Sequence, residues 1–299
     1  MDDALCQLCP RKCGVDRKRG IGFCGVGEKA VVAKVMLHRW EEPCICFGAG
    51  SGAVFFSGCQ LQCVFCQNHE ISCKIKGEAM ERDSLSSLFL ELEKAGACNL
   101  NLVSPTPHFR VIIPALRKAK EKGLSLPVVL NSGGYEKKET LELLSGLVDI
   151  YLPDYKFFSP SLAKCYAGAE DYPAVCQSAI AEMHRQVGSP VWEGERLKKG
   201  VIVRHLILPG ASKDSIAILK NLRDSFGKEG VVLSLLRQFT PLHRAMDFPS
   251  LSRRITSLEY QRVEQCARQL GFRWIYTQGK SSASEDFVPD FSSFSHLSR

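Results

Sequence analysis

No run in this chain of 299 residues approaches the ~18–20 consecutive apolar residues that a bilayer-spanning helix needs. That absence argues against an integral membrane protein. The amino terminus, MDDALC, is acidic and lacks the basic region and apolar stretch of a secretory leader, so a cytoplasmic location is expected. Basic runs are short as well. The longest is Arg17-Lys18-Arg19, and no basic stretch interleaved with aromatics marks a nucleic-acid binder. The net charge of +7, from 39 Lys and Arg against 32 Asp and Glu, reads as ordinary solubilising charge. The glycine-bearing segments Gly20–Gly27 and Gly48–Gly52 match neither a P-loop nor a dinucleotide fingerprint and are read as turns.

Cysteine is what the chain has in quantity. Fourteen thiols without an export signal do not read as a disulfide scaffold, because the cytosol keeps thiols reduced. Seven of them fall into two tight groups, Cys6, Cys9, Cys13 and Cys24, then Cys59, Cys63 and Cys66. Clustering of this kind points to metal ligation. Cys44 and Cys46 offer a further ligand to either group. Cys73, Cys98, Cys165, Cys176 and Cys266 lie in apolar or helical contexts and are expected in the core.

Residues 1–52 are rich in Cys, Gly, Arg and Lys with little clean periodicity, and form a Cys-rich amino-terminal extension. From residue 53 strands and helices alternate to about 280, and 281–299 reads as a loosely ordered tail. Strands are expected at 53–57, 99–103, 126–130, 148–152, 201–208, 231–236 and 272–277. The helices between them are expected at 83–94, 109–122, 138–144, 172–187, 212–226 and 257–270. Alternation of this kind requires a parallel sheet with right-handed crossovers. Fewer than eight units predict an incomplete (β/α)6-type barrel, an α/β fold. Its active residues belong at the carboxyl ends of the strands, where Cys59, Cys63, Cys66, Ser104–His108, Asn131–Gly134, Asp154 and Lys156 all fall.

The run Gly58-Cys59-Gln60-Leu61-Gln62-Cys63-Val64-Phe65-Cys66 has Cys-x3-Cys-x2-Cys spacing. Three thiolates in so short a loop can grip a 4Fe–4S cluster and leave one iron without a protein ligand, the open position that catalysis needs. Phe65 would shield such a cluster. On spacing alone, a zinc site completed by His69 or Cys73, or thiols that merely pack, are the alternatives.

This spacing after a first strand resembles the signature of the radical S-adenosylmethionine (SAM) superfamily. The chain is most similar to homologues of pyruvate formate-lyase activating enzyme, in an uncharacterised branch. The likeness rests on Cys6-Gln7-Leu8-Cys9-Pro10-Arg11-Lys12-Cys13-Gly14, on Gly58–Ser72, on Asp154-Tyr155-Lys156 and on Arg204. It implies a cluster on Cys59, Cys63 and Cys66 whose free iron is chelated by SAM. Reductive cleavage of SAM then generates a 5′-deoxyadenosyl radical that takes a hydrogen atom from the substrate. The implied outcome is activation or modification of a protein, with a glycyl radical enzyme as partner and flavodoxin or ferredoxin as electron donor.

By the same resemblance, Ser104, Asn131, Asp154, Lys156 and Arg204 would contact SAM or substrate, although a plain Asp154–Lys156 ion pair is the structural alternative. The Gly-Gly-Glu stretch usual in the family is replaced by Ser104-Pro105-Thr106-Pro107-His108, and Asn131 stands for the family aspartate. Cys6, Cys9, Cys13 and Cys24 are candidates for zinc or a second Fe–S cluster. A radical SAM enzyme acting on a small molecule or RNA is one competing function. A zinc or Fe–S binding or electron-transfer protein without turnover is another.

Overall fold

A computed structural model describes residues 5–279, 282 and 289–291. Along the chain come β1 (Ala30–His38), β2 (Ser51–Phe56), α1 (His69–Ser72), β3 (Glu78–Met80) and α2 (Arg82–Lys94). Next are β4 (Leu100–Val103), α3 (Phe109–Glu121), β5 (Val128–Ser132), α4 (Lys138–Glu142), β6 (Ile150–Pro153), α5 (Pro160–Ala167) and α6 (Tyr172–Val187). The last part holds β7 (Val191–Glu193), β8 (Arg196–Leu206), α7 (Ser212–Phe226), β9 (Val232–Leu236), α8 (Ser257–Leu270) and β10 (Ile275–Thr277).

The sheet order is β10-β9-β8-β6-β5-β4-β2-β1-β3, with β7 paired to β8. From β2 to β10 the strands along this path run parallel, which makes an open (β/α) barrel as expected. β1 then adds to β2 in antiparallel fashion, and β3 to β1. Because β1 comes from the cysteine-rich extension, that segment shares the barrel's sheet.

Helix ends follow their local chemistry. Thr256 and Glu259 form a reciprocal capping box at the start of α8, and Gly271 closes it at φ +73° in the left-handed region. On α2, Leu85, Leu88, Phe89 and Leu92 are all buried on one face, each contributing about 1.5–3 kcal/mol relative to exposure.

Strand alternation sorts the apolar residues into two layers. Val128, Leu130 and Tyr151 face the helices, while Val129, Ile150, Leu152, Ile202 and Val232 face the barrel interior. Cys44 and Ile45, from the connection between β1 and β2, fill that interior. They are pinned by Asn99 Nδ2 donating to Ile45 O at 2.6 Å and by Leu197 N donating to Cys44 O at 2.9 Å. Cys46 Sγ donates to His38 O at 3.4 Å. Cys44 and Cys46 thus belong to this plug.

Two thiols depart from the expected core placement. Cys73 and Cys165 are exposed, Cys98 and Cys266 are half-buried, and Cys176 is buried. Cys165 lies on the outer face of α5 because Ala163, Tyr166 and Ala167 take the buried one. Cys73 sits just past α1, where the short helix returns to the surface. Most of the 281–299 tail lies outside the described residues. Phe291, which is described, is buried edge-on against Phe55 with centroids 5.6 Å apart.

Candidate active site

A cavity of about 240 Å³ opens at the carboxyl ends of the parallel strands. Cys59, Cys63, Cys66, Ser104, Asn131, Asp154, Lys156 and Arg204 all line it. Sequence positions as far apart as 59 and 204 meet there because every β/α unit delivers its strand end to the same rim. Cys6, Cys9, Cys13 and Cys24 are not among the lining residues.

The cysteine loop is held from several directions. Gly58, at φ +87°, donates its N–H to Ile71 O at 2.7 Å, and Val64 N–H donates to Tyr166 O at 2.9 Å. Phe65 is buried edge-on among Phe157, Tyr166 and Phe239, with centroid distances of 6.0, 6.4 and 6.2 Å. Behind the loop Phe65 therefore anchors it as well as excluding water. The N–H of Leu61 points at Cys59 Sγ at 3.4 Å, and Ser72 Oγ donates to Cys66 Sγ at 3.3 Å. Burial pushes all three thiols above their ordinary pKa, Cys66 to about 11, while the Lys156 ammonium works the other way. Metal binding would release these protons, because the thiolate is the ligand.

Opposite the loop lies a connected set of charges. Lys156 Nζ donates to Asp154 Oδ2 at 2.6 Å, and Arg204 Nε donates to Asp154 Oδ1 at 2.8 Å. Arg204 Nη2 reaches Asn131 Oδ1 at 2.6 Å, and its Nη1 lies 3.5 Å from Glu41 Oε1. Burial opposes ionisation of Asp154, but Arg204 and Lys156 outweigh it and keep the carboxyl below its ordinary pKa. Burial likewise opposes the charge on Lys156, and Asp154 and Cys63 reverse that. The Asp154–Lys156 ion pair is real, and it faces the cavity. Ser104 stands beside it at φ +56°, a left-handed backbone uncommon for a residue with a side chain.

Sequence reasoning missed three acids. Glu41 lines the cavity and accepts hydrogen bonds from Asn101 and Asn131. Next to it, Glu42 is buried against Ser234 Oγ at 2.9 Å, and burial raises its pKa to about 7. Glu136, only 1 % exposed, accepts from Gln60 Nε2 at 3.1 Å, Thr106 Oγ1 at 2.8 Å and Ser132 Oγ at 3.0 Å. It ties the cysteine loop to the loops after β4 and β5. Burial, partly offset by the two hydroxyls, raises its pKa to about 7. Gly134 makes room for this corner: a Cβ there would come within 2.3 Å of Asp154 O.

Among the described residues, no three Cys, His, Asp or Glu side chains are placed to hold a single metal ion. His69 stacks face to face on His243 at 4.7 Å, and Cys73 Sγ lies 4.0 Å from His243 Nε2. Among the described residues, no helix is long and apolar enough to cross a membrane.

No family model matches the chain. It is 28% identical over 284 residues to an uncharacterized protein of Methanocaldococcus jannaschii, across 91% of this chain and 76% of that one. A pyruvate formate-lyase-activating enzyme of Streptococcus mutans is 24% identical over 180 residues, 56% of this chain and 62% of the enzyme. Among solved structures, Streptococcus suis SuiB bound to precursor peptide SuiA aligns at a TM-score of 0.53 and 12% identity. That alignment covers 80% of this chain and 51% of SuiB, so the chain spans about half of SuiB's length. The chain has the fold of the radical SAM superfamily and resembles, in sequence, pyruvate formate-lyase activating enzyme and its uncharacterised homologues.

Proposed function

We propose that this chain is a radical SAM enzyme in which Cys59, Cys63 and Cys66 hold a 4Fe–4S cluster and SAM occupies the cavity they line. The observation that supports this most is that the three thiols share one cavity with the Asp154–Lys156–Arg204 charges. The donor set suits the group. No fourth cysteine lines the cavity, which leaves a four-iron core one open iron. When bound, the cluster and SAM supply one-electron cleavage of a sulfonium bond and removal of a hydrogen atom from substrate.

The chain's own residues bind and orient. Lys156 and Arg204 offer charged donors to a carboxylate, and Asp154 and Glu41 offer acceptors to an ammonium, which together match the zwitterionic end of SAM. Ser104 and Asn131 add polar contacts beside them. Phe65 and its aromatic neighbours keep water from the back of the loop.

The substrate is read as a protein or peptide, as the likeness to activating enzymes suggests. SuiB, in structures bound to a precursor peptide and to S-adenosylmethionine, supports that class. A flavodoxin or ferredoxin would supply the electron, and a glycyl radical enzyme is the favoured target. The test is anaerobic reconstitution with iron and sulfide, followed by SAM and dithionite. Release of 5′-deoxyadenosine and methionine is expected. A fully loaded protein that leaves SAM intact, or one that takes up zinc alone at these cysteines, refutes the reading.

A further inference from the structure

The four amino-terminal thiols come together in a segment without helix or strand. Two tight turns shape it. Lys12, at φ +44°, donates its N–H to Cys9 O at 3.1 Å, and Gly25, at φ +79°, donates to Gly22 O at 2.9 Å. Cys6 and Val15 close the base through Cys6 N–H to Val15 O at 2.9 Å. The Cys9 thiol is close enough to Cys6, Cys13 and Cys24 for all three to act on it. Backbone N–H groups also point at sulfur here: that of Arg11 at Cys9, and those of Phe23 and Val15 at Cys13. The catalytic loop repeats this device, with Leu61 donating to Cys59 and Asn68 to Cys66. In both places a donor lies two residues beyond its cysteine.

Arg17 sits among these thiols. It is 5 % exposed, and its Nη2 lies 3.2 Å from Cys6 Sγ and 3.3 Å from Cys24 Sγ. Nη1 donates to Val26 O at 2.6 Å, and among the described residues Nε has no hydrogen-bond partner. A Cβ at Gly22 would come within 3.0 Å of Nη2 and 3.2 Å of Cys13 Sγ, so guanidinium and thiol share one wall. Among the described residues, no carboxylate pairs with it. A guanidinium stays charged inside a protein, and burying it without an anion is strongly unfavourable. What its Nη2 meets instead is a pair of sulfurs, the side chains that a metal centre would use.

We propose that Cys6, Cys9, Cys13 and Cys24 hold a second metal centre, an iron–sulfur cluster with Arg17 as its buried counter-cation. Four protein thiolates would close such a centre, so it binds no SAM. The module also backs directly onto the Cys59–Cys66 loop. Gln62 Nε2 donates to Phe23 O at 3.0 Å and Arg11 Nε donates to Gln60 O at 2.9 Å.

The proposal stands on its own residues, and its test separates it from the reading of the first site. The full chain carrying Cys59→Ala, Cys63→Ala and Cys66→Ala together is reconstituted anaerobically with iron and sulfide, with zinc present in a parallel sample. Retention of roughly two to four iron and matching sulfide per chain is expected, with a cluster signal in the electron paramagnetic resonance spectrum after reduction. Adding Cys6→Ala and Cys24→Ala should remove both. Arg17→Gln in the same background should lower the reduction potential of the remaining cluster, because a buried positive charge is lost, and Arg17→Lys should restore much of the shift. A folded triple variant that binds no metal, or only zinc, overturns the assignment. The converse variant, with the four amino-terminal cysteines replaced, reports on the first cluster alone.

Discussion

The two groups of thiols use the same backbone device and place it in opposite surroundings. Around Cys59, Cys63 and Cys66 the residues line a cavity, and Lys156, a cation of the same cavity, is itself tied to Asp154. Around Cys6 and Cys24 the facing group is Arg17, buried and without a carboxylate among the described residues. One arrangement leaves room for a ligand beside the proposed cluster, and the other places a buried guanidinium against the thiols. Spacing in the sequence says that thiols gather. The surroundings decide whether a group held there would be open to exchange.

The largest expected effect separates the open group from the isolated cysteines. Cys63→Ala should lower 5′-deoxyadenosine formation by at least about a hundredfold, since even an outer partner of a metal ligand is worth 10–100-fold. Cys165→Ala, on the outer face of α5, should leave it unchanged. Equal rates in the two variants would erase the distinction. Next comes the charge system that shares the cavity with the cysteine loop. Asp154→Ala leaves Lys156 and Arg204 short of their shared anion and should cost about 3–5 kcal/mol in chemical unfolding, with weaker SAM binding by calorimetry.

Glu136, which braces the open loop, gives a pH-dependent effect. Its folded pKa of about 7 lies above the ordinary 4.5, so the native state holds the proton more tightly than the unfolded chain does. The resulting penalty is absent below about pH 4, grows between 4.5 and 7 and is complete above 7. Glu136→Gln should therefore stabilise the protein by roughly 3 kcal/mol above pH 7 and by nothing near pH 4. Denaturant midpoints across that range check it, and a pH-independent difference would contradict it. The smallest effect concerns Ser104, whose positive φ favours glycine. Ser104→Gly should leave stability within about 1 kcal/mol or raise it slightly, while loosening SAM if the hydroxyl contacts it.

Much of this was legible from residues alone. Helices 172–187, 212–226 and 257–270 match their expected limits, because clean apolar periodicity ends at Gly188, Gly227 and Gly271. Asp154 and Lys156 were legible because strand ends in a parallel sheet converge on one rim, whereas Arg204, inside its strand, was reached only through the family resemblance. β1 was missed, since its AVVAKVMLH lies in a segment whose composition suggested irregular structure. Glu41 and Glu42 were invisible for a different reason. Their place depends on the plug around Cys44 and Ile45 entering the barrel from outside the repeating units, and no local pattern announces that. Glu136 carried a faint signal in Gly133-Gly134-Tyr135-Glu136, a glycine pair leading to an acid beside a strand end.

Gly58 carries a consequence for how the molecule can be cut. A single carbon added there would strike both Cys24 O and Val26 at 2.5 Å. The residue before Cys59 is thus moulded against Cys24 and Val26 with no slack. A barrel truncated at residue 29 would lose the surface on which its cysteine loop rests, along with the anchors on Gln60 and Gln62. The amino-terminal segment and the Cys59–Cys66 loop are therefore one inseparable piece of masonry, and deletion of either should be read as damage to both.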